Sequence, residues 1–278
     1  MLTENTATKL REMHLSVMAL AFKEQLTAPQ FQSMSFEDRF SLIIDKEWCA
    51  RKSNHLKRLV KQAGFSEPSA CVEDIEYHSD RNLDKNQLAR LSTCNYIVEH
   101  HNVILLGATG SGKSYLACAL GMAAVRNYIT VKYVRLPELL VDLSIARGSG
   151  TIRKVMAQYK KYSLLIIDEW LLYPLKDMES RDLLEIIESR YKKVSTLFCS
   201  QFDIPGWRDK LGDPILADAI CDRIIHDSYT IVIDGKDSPC GNAKGFRRIS
   251  LEAFCLSGSA RTRGLAHSGF PGRVIAYV

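Results

Sequence analysis

Gly107-Ala108-Thr109-Gly110-Ser111-Gly112-Lys113-Ser114 matches Gly-x-x-x-x-Gly-Lys-Ser/Thr at every fixed position. An apolar run, Val103 to Leu106, precedes it, and helical periodicity from Lys113 to Arg126 follows, so it reads as the turn between a strand and a helix. In that setting the pattern cradles phosphate. Glycines let successive backbone N–H groups point inward, and the helix N-terminus adds positive potential. All eight residues from Gly107 to Ser114 are therefore expected to bind ATP, with Lys113 on the β and γ phosphates and the Ser114 hydroxyl on Mg2+. The bland alternative is a glycine-rich turn that matches by chance, and the strand-to-helix context argues against it.

Around this segment strands and helices alternate. Short apolar runs predict strands at Val103 to Leu106, Ile129 to Val134, Leu164 to Ile167, Val194 to Cys199 and Tyr229 to Ile233. Helices are expected between them at Lys113 to Arg126, Pro137 to Ala146, Glu179 to Lys193 and Asp213 to Ile225. The alternation implies an α/β, three-layer P-loop NTPase domain with a parallel five-stranded sheet covered on both faces.

The third of these strands ends in Asp168-Glu169, about 55 positions beyond Lys113. Alone, two acids at a strand end are an ordinary solvated terminus. Paired with the cradle, Asp168 is expected to hold the Mg2+ shell and Glu169 to orient and activate the water that attacks the γ phosphate.

The first 76 residues carry helical periodicity and no strand signal. Leu10, Met13, Val17, Leu20 and Ala21 predict a helix within Leu10 to Leu26. A second helix is delimited by Ser35 as cap, Glu37 and Asp38 in its first turn, Lys57, Arg58 and Lys61 in its last turns and Gly64 as stop. Phe36, Phe40, Ile43, Ile44 and Trp48 supply its apolar side. Pro68 and several acids between Glu67 and Arg81 mark a connecting segment. The expected organisation is a small all-helical module over 1–76, an ATPase domain over 77–239 and a Gly- and Arg-containing, poorly ordered tail over 240–278.

The formal charge of +5 sits in that tail, where six basic residues face one acid after Cys240, so net charge says nothing for nucleic acid. Eight cysteines without a CxxC pair suggest reduced thiols rather than zinc or disulfides. The longest near-apolar stretch, Leu15 to Phe22, is far short of the ~20 residues of a membrane span, and no signal-peptide pattern is present, so a cytoplasmic protein is expected.

The chain resembles the AAA+ ATPases of the DnaC and IstB group, and most closely the IstB type, the helper ATPases of bacterial insertion-sequence transposition. The resemblance is carried by Leu83-Asp84-Lys85-Asn86-Gln87-Leu88, by Asn102 to Leu120, by Asp168-Glu169-Trp170-Leu171-Leu172-Tyr173-Pro174-Leu175, by Ser195 to Trp207 and by Leu216 to His226. It implies that Gln201, beside Ser200, is the polar sensor of the γ phosphate, and that Arg223 is the arginine finger reaching a neighbouring subunit's nucleotide. A finger in trans implies a head-to-tail homo-oligomer. A surface ion pair with Asp222 or Asp218 is the alternative for Arg223. No second sensor arginine is found, and the family pattern ends near Pro239.

The resemblance also implies double-stranded DNA and a cognate transposase as partners, and no membrane. Leu143 to Tyr162 holds Arg147, Arg153, Lys154, Lys160 and Lys161 and no acid, and related initiator-type ATPases use an inserted helical element there to track DNA. A solvated face competes with that assignment. Arg51, Lys52, His55, Lys57, Arg58 and Lys61 form a second candidate, where cations favoured by a helix C-terminus compete, as does docking of the transposase or a neighbouring subunit. A DnaC-type helicase loader, a P-loop small-molecule kinase and an adaptor that binds ATP without turnover are the rival functions.

Overall fold

The computed structural model describes residues 2–77 and 83–233; the tail over 240–278 lies outside the described residues. The chain divides into two compact units, one with the described residues through His55 and the other from Leu56 onward.

In the first unit, α1 (Leu2–Glu12) and α2 (Ser16–Thr27) replace the single helix expected over Leu10 to Leu26. The break has a local cause and a tertiary one. His14 takes a left-handed φ of 59°, and the turn closes with His14 N–H donating to the Arg11 carbonyl and Leu15 N–H to the Leu10 carbonyl, a helix-ending arrangement normally built on glycine. From α3 (Phe36–Ala63), Glu47 then accepts the Met18 amide of the new helix, and Arg51 donates to the His14 carbonyl. Ser35 caps α3 by accepting the Asp38 amide, and Gly64 ends it at φ 68°. Of the predicted apolar side of α3, only Ile43 is buried; Phe36, Phe40, Ile44 and Trp48 are exposed. Among the described residues, the unit's buried apolar side chains are Ala7, Ala19, Ala21 and Ile43.

The second unit is a five-stranded, all-parallel sheet in the order β2-β3-β4-β1-β5. Its strands are β1 (Asn102–Gly107), β2 (Val131–Arg135), β3 (Leu164–Trp170), β4 (Ser195–Ser200) and β5 (Ser228–Ile233). Alternate side chains divide between two cores, as a sheet covered on both faces requires. Val103, Leu105, Leu164, Ile166, Leu197 and Cys199 pack against α6 (Lys113–Arg126), α4 (Lys85–Ser92), α5 (Asn95–Val98) and the end of α3. Ile104, Leu165, Ile167 and Phe198 pack under α7 (Leu136–Gly148), α8 (Ile152–Lys161), α9 (Asp177–Arg190), α10 (Ile204–Leu211) and α11 (Pro214–Ile225).

The five strands and the helices α6, α7, α9 and α11 fall where the sequence predicted them, to within a few residues at the ends. The helices α4, α5 and α10 were not anticipated, and α8 only as the inserted helical element that the resemblance implied between the second and third strands. Helix α8 buries Met156 and Tyr159 with Ile152 and Val155 against the same core. Helix α10 is capped by Asp203, which accepts the Gly206 amide, and it buries Trp207 against Trp170 with ring centroids 5.8 Å apart.

Candidate nucleotide-binding site

The cradle lies at the C-terminal end of β1 and runs into α6. Gly110 and Gly112 sit at φ 80° and 89°, the left-handed region that a side chain disfavours. At Gly107 the constraint is space, because a Cβ there would lie 2.6 Å from the Ile233 carbonyl and 2.7 Å from Ser111 Oγ. Gly112 is the N-cap of α6 and offers no side-chain acceptor, so the first-turn amides are left for an outside anion. Ser111 Oγ is buried with no hydrogen-bond partner among the described residues.

Lys113 is buried, and its ammonium donates to the Gly107 and Ala108 carbonyls, both at 2.7 Å. Burial holds its pKa below the usual lysine range, opposed by the neighbouring Cys199 and Asp168. Ser114 is half-buried on the same first turn.

Asp168 and Glu169 end β3 beside β2, with Arg135 in register with Asp168. Asp168 is 5% exposed and both its oxygens are engaged: Oδ2 accepts the Tyr133 hydroxyl at 2.6 Å, and Oδ1 the Glu169 amide at 2.8 Å. Burial raises the pKa of the Tyr133 phenol, and the adjacent Asp168 adds to the rise, so Tyr133 remains a donor. Glu169 stands at φ 55° where the β3–β4 register shifts. Both its oxygens accept the Arg135 guanidinium, at 2.7 and 2.9 Å.

Gln201 follows β4, and its Oε1 accepts the Thr109 hydroxyl of the cradle at 2.9 Å. Its neighbour Ser200 serves the core instead, donating to the Trp170 and Phe202 carbonyls and accepting from the Trp207 indole. The cradle, Asp168, Glu169 and Gln201 thus converge at the C-terminal ends of three strands. Arg223 does not join them within one chain. It donates to the Ala219 carbonyl and pairs with Glu188 of α9, beside a cavity of about 570 Å³ lined by Tyr191, Asp222, Arg223, Ile225 and His226.

The donor set fits a magnesium ion: one hydroxyl and one carboxylate, both hard oxygens, are the usual protein share when phosphate and water supply the remaining ligands. Tyr133 and Arg135 were missed from the sequence. Both lie on β2, and their relevance depends on β2 being the strand beside β3, which no local pattern reveals.

The basic candidates separate. Arg147 pairs with the buried Asp182, and Lys160 pairs with Glu185 at 2.9 Å, both on α9. Arg153, Lys154 and Lys161 are exposed and, among the described residues, form no ion pair. Behind them Arg190, 2% exposed, donates to the Tyr159 and Tyr162 carbonyls at the end of α8 and to Ser195 O and Thr196 Oγ1 of β4. In the second basic cluster Arg51 is spent on Glu47 and the His14 carbonyl, and Lys52 lies over the Trp48 ring at 5.3 Å. Lys57, Arg58 and Lys61 are exposed.

An insertion-sequence ATP-binding protein of Sinorhizobium fredii is 36% identical over 236 residues, covering 85% of this chain and 96% of that protein. The ATP-binding protein of insertion sequence IS1162 from Pseudomonas fluorescens is 40% identical over 201 residues, 72% of this chain and 87% of that one. Among solved structures, DnaI superposes with a TM-score of 0.53 at 20% identity, over 64% of this chain and 93% of that chain, which shows a shared fold. No described helix is long and apolar enough to cross a membrane. The family model for IstB-like ATP binding proteins matches residues 8–239, a span that holds the cradle, the acidic pair and every strand of the sheet, and the chain belongs to that family.

Proposed function

We propose that the protein hydrolyses ATP while bound to double-stranded DNA, in the cytoplasm, and thereby selects or remodels a target for the transposase of its insertion sequence. The observation that carries the hydrolytic part is the meeting of three strand ends: Gln201, just past β4, touches Thr109 of the cradle that follows β1, and Asp168 and Glu169 lie at the end of β3, the strand on the other side of β4. The relatives' names, ATP-binding proteins of insertion sequences, support the transposition setting over helicase loading.

In this reading the Lys113 ammonium exchanges the Gly107 and Ala108 carbonyls for the β and γ phosphates. Ser114 and Asp168 hold Mg2+, which when bound neutralises charge on the phosphate oxygens. Glu169 takes the proton of the attacking water once its carboxylate leaves Arg135, and Gln201 contacts the γ phosphate. Arg223 acts on the nucleotide of the next subunit after leaving Glu188, so the active form is a head-to-tail oligomer. Arg153, Lys154 and Lys161 contact DNA phosphates, with Arg147 and Lys160 contributing only if they give up their partners on α9.

The test is an ATPase assay with and without duplex DNA across salt concentrations, run beside Glu169→Gln. Expected are turnover stimulated by DNA and lost at high salt, and a Glu169→Gln protein that binds ATP but hydrolyses it at least about 100-fold more slowly. Full activity in Glu169→Gln would remove Glu169 from this role. Turnover indifferent to DNA would remove the DNA-coupled part, and recovery of a replicative helicase rather than a transposase in a pull-down would favour the loader.

A further inference from the structure

We propose that Tyr133 is a positioning residue for the metal site, holding the Asp168 carboxylate in the orientation in which it meets Mg2+. This rests on the reading of Asp168 as a metal ligand.

Tyr133 pairs with Ile166 across the β2–β3 ladder, so Asp168 is its diagonal neighbour on the same face, within reach of a long aromatic side chain. The phenol is 6% exposed and donates to Asp168 Oδ2 at 2.6 Å, a short contact of the kind a charged acceptor gives. The Glu169 amide engages Oδ1 at 2.8 Å. One donor on each oxygen stops the carboxylate from rotating, and each oxygen keeps a lone pair for a cation or a metal-bound water. A buried phenol usually finds an acceptor in any fold. Here the acceptor is the acidic group at the end of β3 rather than a backbone carbonyl, and a support of that type tunes the metal ligand it holds.

The substitution is Tyr133→Phe, which keeps the ring and removes only the hydroxyl. Affinity for an ATP analogue carrying a ribose fluorophore is measured in EDTA and then across a Mg2+ titration, and Mn2+ bound in the presence of ADP is counted by electron paramagnetic resonance. The expected result is a half-saturating Mg2+ concentration raised about tenfold or more, and weaker Mn2+ binding, with affinity in EDTA unchanged. Unchanged metal dependence in Tyr133→Phe overturns the proposal, as does an equal loss of affinity with and without metal, which would mark a structural role only. A wild-type protein whose nucleotide affinity ignores Mg2+ removes the reading of Asp168 itself, and that outcome is visible before any substitution is made.

Discussion

Replacing Arg190 by methionine tests whether one buried cation ties α8 to the sheet. Arg190 is the last residue of α9. Burial pulls its pKa down to about 9, so it is still charged at pH 7, and the cost of that burial is offset by acceptors rather than by a carboxylate. Nη1 donates to the Tyr159 and Tyr162 carbonyls at 2.8 and 2.9 Å, Nη2 to the Ser195 carbonyl at 2.5 Å, and Nε to Thr196 Oγ1 at 3.0 Å. Methionine preserves the packed alkyl stem and leaves those carbonyls without their donor in a place water reaches poorly. An orphaned buried acceptor costs about 1 to 3 kcal/mol. The Tyr162 contact is only part-buried, whereas those to the Tyr159 and Ser195 carbonyls are buried, so the expected total is about 2 to 6 kcal/mol, two orphaned acceptors. Urea unfolding followed by tryptophan fluorescence reads this as a lower midpoint with little change in slope. Arg190→Lys keeps the charge but reaches fewer acceptors and should fall between the two. A loss below about 1 kcal/mol for Arg190→Met would show that these contacts are not holding the helix.

Lys113→Ala should weaken ATP binding by about 10- to 150-fold, the equivalent of the 1.5 to 3 kcal/mol of one charge-assisted contact, in a fluorescent-nucleotide titration; undiminished affinity would reject the cradle assignment. Gly107→Ala should abolish measurable ATP binding and lower the melting temperature, because its Cβ would press on the backbone carbonyl of Ile233, which has no easy way to yield. Neutralising Arg153, Lys154 and Lys161 to glutamine should flatten the dependence of log affinity for duplex DNA on log salt by about 0.9 for each phosphate contact removed, at unchanged thermal stability. Arg147→Gln should instead lower stability, since it leaves the Asp182 carboxylate buried without its partner.

What could be read in the sequence was whatever depends on neighbours along the chain. The cradle, the strand before it and α6 were all legible, since the glycine spacing, the apolar run and the helical period lie within 25 residues of one another. Helix α8 carried a readable signal, Ile152, Val155, Met156 and Tyr159 at three- and four-residue steps, which the run of basic residues obscured. The break at His14 was not readable, because the groups that make a new helix start there, Glu47 and Arg51, come from more than 30 positions away. Nor could the sequence tell that Phe36, Phe40 and Trp48 face solvent in the single chain, since an apolar side predicts that something covers it but not what.

The composition of the site follows from strand order, which no local pattern encodes. The cradle hangs from β1 and the acidic pair from β3, and these two strands are not neighbours, because β4 lies between them. A polar residue just past the end of β4 must therefore stand between the cradle and the acids, and Gln201, reaching Thr109, does so. On the far side of β3 only β2 remains, so whatever ends β2 must flank the acids from outside; those residues are Tyr133, which takes Asp168, and Arg135, which takes both oxygens of Glu169. Arg135 is also the N-cap of α7, the first of two helices that bear the basic residues of the candidate DNA face. The strand that closes the acidic side of the site thus runs directly into α7, which leads on to α8, where Arg153, Lys154 and Lys161 are exposed. Arg135 therefore joins the start of α7 to both carboxylate oxygens of Glu169.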